Sequence, residues 1–119
     1  MRATRGARER PLQITVSEFG STHTLELVGE LELATVPVLR ERLDVALDRG
    51  AEVIVIDMSG LEFLDSSGIA LLIESHHRLN EQDGARLRLI PSEAPAVARV
   101  LRVTDLDRRL RFVDRPPSS

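Results

Sequence analysis

Hydrophobic positions along this chain switch repeatedly between a spacing of two and a spacing of 3.6. Leu12, Ile14 and Val16 alternate with polar neighbours, and Thr24-Leu25-Glu26-Leu27-Val28 does the same after a Gly20-Ser21 turn, so the two segments predict a hairpin. Val36, Leu39, Leu43, Ala46 and Leu47 then form a helical stripe, opened by Thr35 with Pro37 two residues on and closed by Gly50. Val53-Ile54-Val55-Ile56 is an unbroken β-branched run, which predicts a strand covered on both faces and ended by Asp57. Ile69, Leu72, Ile73 and Leu79 return to helical spacing and predict a helix from about Ser66 to Gln82, stopped by Asp83-Gly84. Arg86 to Ile90 alternates as a strand. Pro91-Ser92-Glu93 is expected to start a third helix with Val97, Val100 and Leu101 inward, and Leu110 to Val113 to make a last strand.

Alternation of strands with helices predicts an α/β domain: a mixed central sheet of about five strands with helices packed on it. The chain of 119 residues fits one domain, expected over 11–113. Residues 1–10, with Arg2, Arg5, Arg8 and Arg10, read as a disordered basic lead-in, and residues 114–119, with Pro116 and Pro117, as a disordered tail. Two strand-helix-strand units share the Val53 strand. Such crossovers are parallel and right-handed, so the C-terminal ends of strands two, three and four should share one edge. Three loops would converge there, Gly29 to Glu32, Met58 to Ser67 and Pro91 to Pro95, making neighbours of Ser66, Asp65, Glu32 and Asp57.

Composition narrows the chemistry. The chain has no cysteine, which removes disulfides and thiolate metal sites. Its net charge of -3 gives no general attraction to nucleic acid, and Phe19, Phe63 and Phe112 are too few for a stacking platform. No run approaches the ~18 apolar residues of a membrane span, and the start MRATRGARER lacks the apolar region of a secretory signal. A cytoplasmic, soluble protein is expected, without direct nucleic-acid or membrane binding. All sixteen basic residues are arginine, so P-loop, Schiff-base and receiver-type chemistry lose their lysine. A serine hydrolase would need a Gly-x-Ser-x-Gly elbow, whereas Ser66 follows Leu64-Asp65; dinucleotide binding lacks its Gly-x-Gly-x-x-Gly. Adjacent His76 and His77 lie roughly 100° apart on a helix and do not close on one metal, and His23 is distant, so no metal and no cofactor are expected.

The stretch VIVIDMSGLEFLDSSGIALLI, Val53 to Ile73, carries the candidate chemistry. A buried strand, an acidic turn, two serines and an apolar helix follow without a linker. Asp65, Ser66 and Ser67 are all residue types that cap a helix. The serines therefore stand where backbone N–H groups point outward, a place that favours an added anion such as phosphate. Asp57 reads as a structural turn residue, and Leu61, Phe63 and Leu64 as a partly buried apolar patch with some contact role.

With GELEL about 25 residues upstream, the segment DMSGLEFLDSSGIALL resembles the STAS domain (sulfate transporter and anti-sigma factor antagonist) of bacterial anti-anti-sigma factors, over about Leu12 to Val113. The resemblance implies partner switching. The unmodified protein binds an anti-sigma factor serine kinase and frees the sigma factor; phosphorylation ends the binding, and a serine phosphatase restores it. The acceptor implied is the serine after the aspartate, Ser66, with Ser67 a helper or minor site. Glu32 stands where the family commonly has aspartate, and this chain ends in DRPPSS where many members add a helix. The implied partner surface comprises Glu30, Glu32, Leu61, Glu62, Phe63, Leu64, Asp65, Ser66, Ser67 and Gly68. On this reading the chain is no enzyme but a kinase substrate.

Phosphate on Ser66 would add about -1.5 to -2 charges to a loop already holding Glu62 and Asp65. Moving an equilibrium from 1:99 to 99:1 needs about 5.5 kcal/mol of differential affinity, and an unmatched phosphate buried by a partner has a penalty of that order. The alternative keeps the fold and changes the role: an unphosphorylated STAS module that binds a small molecule or serves a signalling or transport assembly.

Overall fold

The computed structural model describes residues 11–113, with Gln82 and Asp83 as backbone only. The expected lead-in and tail lie outside the described residues. Strands β1 (Gln13–Phe19) and β2 (Thr22–Leu31) form the hairpin, in register from Gln13 opposite Val28 to Phe19 opposite Thr22. Helix α1 (Val36–Asp48) crosses to β3 (Val53–Leu64), and helix α2 (Ser66–His77), prolonged by a π-helical segment Arg78–Asp83, crosses to β4 (Arg86–Ile90). Helices α3 (Pro95–Val103) and α4 (Leu106–Arg109) complete the described chain. The sheet order is β1-β2-β3-β4, with β2, β3 and β4 parallel.

Period-two alternation sends Leu25, Leu27, Ile54, Ile56, Met58, Leu87 and Leu89 to one face, where they meet Leu39 and Leu43 of α1, Leu71 and Leu72 of α2, and Val97 and Leu101 of α3 in a single core. Most of these side chains are fully excluded from water, each contributing about 2 kcal/mol of transfer free energy. Arg40 and Glu74, 2.6 Å apart, and Arg78 and Asp44, 2.9 Å apart, tie α1 to α2 at the surface. A bidentate pair from Arg49 to Glu18, at 2.7 and 3.1 Å, ties α1 to β1; it holds the Glu18 carboxyl below its ordinary range and raises Arg49.

Three expectations need correction. Among the described residues the sheet has four strands, since Leu110 to Val113 supplies only a parallel bridge between Leu89 and Phe112. Leu110 is buried directly after the short α4, and among the described residues only the Arg111 carbonyl and the Val113 N–H bond to β4, both at Leu89, at 2.8 and 2.7 Å. Asp57 does not end β3: its Oδ1 accepts from Ser59 N–H at 2.9 Å, and the strand runs seven residues further to Leu64. Two register shifts make this possible, between Glu26 and Val28 and between Gly29 and Glu30 of β2, each opposed by an extra β3 residue. The third helix begins at Pro95, not Pro91, because the Ser92 hydroxyl is committed elsewhere.

Candidate functional site

Ser66 and its neighbours stand where β2 and β3 end and α2 begins. Asp65 is the N-cap of α2, with φ -107° and ψ -174°, and both its carboxylate oxygens are engaged. Oδ1 accepts from Gly68 N–H at 3.0 Å, and Oδ2 accepts from Leu33 N–H at 3.2 Å. Its own N–H donates to the Leu31 carbonyl at 3.2 Å. One side chain thus fastens the helix start to the turn after β2. A serine could cap the helix but is too short to hold both donors, which is why the aspartate takes this position.

The first four N–H groups of a helix lack intrahelical acceptors. At α2 those of Asp65 and Gly68 are satisfied as above, and those of Ser66 and Ser67 have no acceptor among the described residues. Ser66 is exposed at the first helical position, and Ser67 behind it is half-buried. Gly68 is buried, and its missing side chain is structural: a Cβ there would lie 2.6 Å from Leu64 Cδ1 and 2.9 Å from Leu31 Cγ. Only glycine lets α2 approach the strand ends so closely.

The turn after β2 is folded on itself. Thr35 Oγ1 donates to the Glu30 carbonyl at 2.8 Å and accepts from Glu32 N–H at 3.0 Å. Half-buried Glu32 turns its Oε1 back to Ala34 N–H at 3.1 Å. Glu30, also half-buried, pairs in the sheet with Phe63. The expected apolar patch divides: Leu61 and Leu64 are core residues, while Phe63 is 44% exposed. Glu62 between them is exposed. Leu33, which the sequence reading passed over, is 71% exposed beside Asp65. Its signal was an apolar residue continuing the GELEL alternation past the last paired strand position.

The Pro91 to Pro95 loop joins through Ser92, whose buried hydroxyl donates to the Leu61 carbonyl at 2.6 Å and accepts from Ala94 N–H at 3.0 Å. The structure therefore brings Asp65, Ser66, Ser67 and Gly68 together with Glu30, Glu32, Leu33 and Phe63. Asp57 does not join them. It faces Glu26 and Ile90 across the middle of the sheet. No group of three or more metal-ligating side chains occurs among the described residues, and no helix there is long and apolar enough to cross a membrane.

The carboxyl edge of this mixed α/β sheet thus presents an exposed hydroxyl on an aspartate-capped helix, flanked by the exposed apolar side chains of Leu33 and Phe63. The chain belongs to the STAS domain family: the family profile described as "Mlab, STAS domain" matches residues 3–114. Among curated relatives, the anti-sigma F factor antagonist of Paenibacillus polymyxa is 31% identical over 74 residues, covering 61% of this chain and 63% of that protein. The chain thus spans a little under two thirds of that relative. The solved structure of the anti-sigma factor antagonist SpoIIAA in its unphosphorylated form matches with TM-score 0.69 and 25% identity, covering 85% of this chain and 88% of the other. The Bacillus cell fate determinant SpoIIAA in the phosphorylated form matches in fold with TM-score 0.63 at 24% identity, covering 85% and 91%.

Proposed function

We propose that this protein is an anti-sigma factor antagonist that works by partner switching, with Ser66 as the switch. The unmodified chain binds an anti-sigma factor serine kinase through Leu33, Phe63 and the Asp65 to Gly68 turn, releasing the sigma factor. Transfer of the γ-phosphoryl group of ATP to Ser66 Oγ, with loss of the hydroxyl proton, ends that binding. A serine phosphatase hydrolyses the ester and resets the cycle.

The observation that carries this reading is the position of Ser66. It is exposed at the first turn of α2, with its own N–H and that of Ser67 open and Asp65 held in place beside it. An added phosphate meets the positive end of the helix, so the fold tolerates it. A partner seated against Phe63 and Leu33 meets instead a dianion with no counter-charge of its own. Fold retained and docking lost is the behaviour a switch needs. The names of the relatives above agree with this role.

Binding of the unmodified chain, Ser66→Ala and Ser66→Asp to the cognate anti-sigma factor provides the test. Ser66→Ala should bind as the natural chain does and no longer be released by ATP. Ser66→Asp, with roughly half the charge of phosphate, should bind at least about tenfold more weakly. Equal binding by Ser66→Asp, or loss of binding by Ser66→Ala, would contradict the proposal.

A further inference from the structure

The far end of the sheet carries a feature that the Ser66 edge does not use. Where β4 begins, a polar cavity of about 400 Å³ is lined by His76, Asn80, Gly84, Arg86, Arg88 and Arg111. Arg86 is level with Val53, the first residue of β3, whereas Ser66 follows the last, Leu64. At about 3.3 Å per residue, the strand between them spans roughly 36 Å.

The chain as a whole carries a net charge of -3, yet this cavity gathers three guanidinium groups. Among the described residues none of the three pairs with a carboxylate, and the side-chain bond of Arg88 goes to the Leu87 carbonyl at 3.0 Å. The repulsion is felt locally: burial first, then Arg111 and Arg86, hold Arg88 below the ordinary guanidinium range. His76 is set for a related role. Asn80 Nδ2 donates to the His76 carbonyl at 2.8 Å and lies 2.9 Å from its Nδ1, a contact that favours the tautomer with Nδ1 as acceptor and the proton on Nε2. Asn80 itself lies on the π-helical segment, a rare geometry that concentrates at functional sites. A concentrated positive charge that no carboxylate among the described residues compensates, in a concave polar site, is chemically matched by an anion.

We propose that this cavity binds a phosphate-bearing small molecule, a phosphomonoester or phosphoanhydride, through Arg86, Arg88 and Arg111 with the His76 Nε2–H as a further donor. Planar guanidinium forks pair with phosphate oxygens two at a time, and a cavity of this size suits a small ligand. This site is independent of the Ser66 switch.

Calorimetric titration of the full chain with inorganic pyrophosphate, without metal and at physiological ionic strength, tests the proposal. Screening beyond about 8 Å then removes diffuse surface attraction. Saturable one-to-one binding is expected. Arg86→Gln and Arg111→Gln, both exposed and so harmless to the fold, should each weaken it about tenfold, and Ser66→Ala should leave it unchanged. Nuclear magnetic resonance supplies a second readout. His76 is held below its ordinary value by burial first and then by His77, Arg111 and Arg88, against Glu81; a bound polyanion should raise its titration midpoint. Absence of saturable binding, undiminished binding by Arg111→Gln, weakening by Ser66→Ala, or capture only by vesicles containing phosphatidate would each overturn the proposal.

Discussion

The N-termini of α1 and α2 stand side by side at the carboxyl edge of the sheet, and they are finished in opposite ways. Thr35, at the N-cap of α1, makes no side-chain bond to its helix; its hydroxyl turns back to Glu30 and Glu32 and closes the β2 turn. Pro37 near the α1 start removes one N–H outright. Asp65 of α2 reaches both ways, to Gly68 and to Leu33, and leaves the Ser66 and Ser67 N–H groups open with an exposed hydroxyl in front of them. The first terminus is consumed by the architecture, while the second is braced and kept available. Cap identity alone therefore does not make a functional helix end; what matters is which donors the cap leaves unused.

Substitutions can break this contrast in a graded way. Gly68→Ala should have the largest effect, a loss of about 2 kcal/mol in denaturant unfolding, because the new methyl group meets Leu64 and Leu31 at under 3 Å. Elsewhere in a helix the same change stabilises by up to about 1 kcal/mol, so the sign alone decides the matter. Asp65→Ala should cost about 1–2 kcal/mol and increase amide exchange at both Gly68 and Leu33. Thr35→Val should cost about 1 kcal/mol, with faster exchange confined to the β2 turn and α2 unaffected. Ser66→Ala should change stability by less than about 0.5 kcal/mol, since that hydroxyl supports nothing in the described fold. A destabilisation by Ser66→Ala as large as that by Asp65→Ala would erase the difference between the two termini.

A weaker contrast separates the edge from the far cavity. The folded chain holds His76 below its ordinary value of 6.5, burial being the main cause. As pH falls, the unfolded chain therefore takes up this proton first. The stability from this group is full above about 6.5 and is lost as pH falls through the lower folded value. Unfolding measured across this range should show a small downward slope toward acid that flattens in His76→Gln.

Much of this was legible in the residues themselves. The α1 stripe and the β4 alternation correspond to the observed elements, because each buries one face against a single core. Met58 to Ser67 read as a loop since Ser59-Gly60 and Asp65-Ser66 are turn-forming types; long-range pairing with β2 carried the strand through to Leu64 by two bulges that no local pattern records. Pro91-Ser92 read as a helix start, but Ser92 serves the Leu61 carbonyl, thirty-one positions away in sequence. The Ser66 motif was visible because its parts are contiguous. Leu33 and the arginine cavity were missed because their neighbours come from separate elements.

Mass mapping of the chain after incubation with an anti-sigma factor serine kinase and ATP addresses the proposed Ser66 switch most directly. One phosphate is expected on Ser66, at most a minor fraction on Ser67, with the phosphorylated chain still folded and no longer bound to the kinase. An unmodified Ser66 under conditions where the complex forms, or a phosphorylated chain that stays bound, would contradict it.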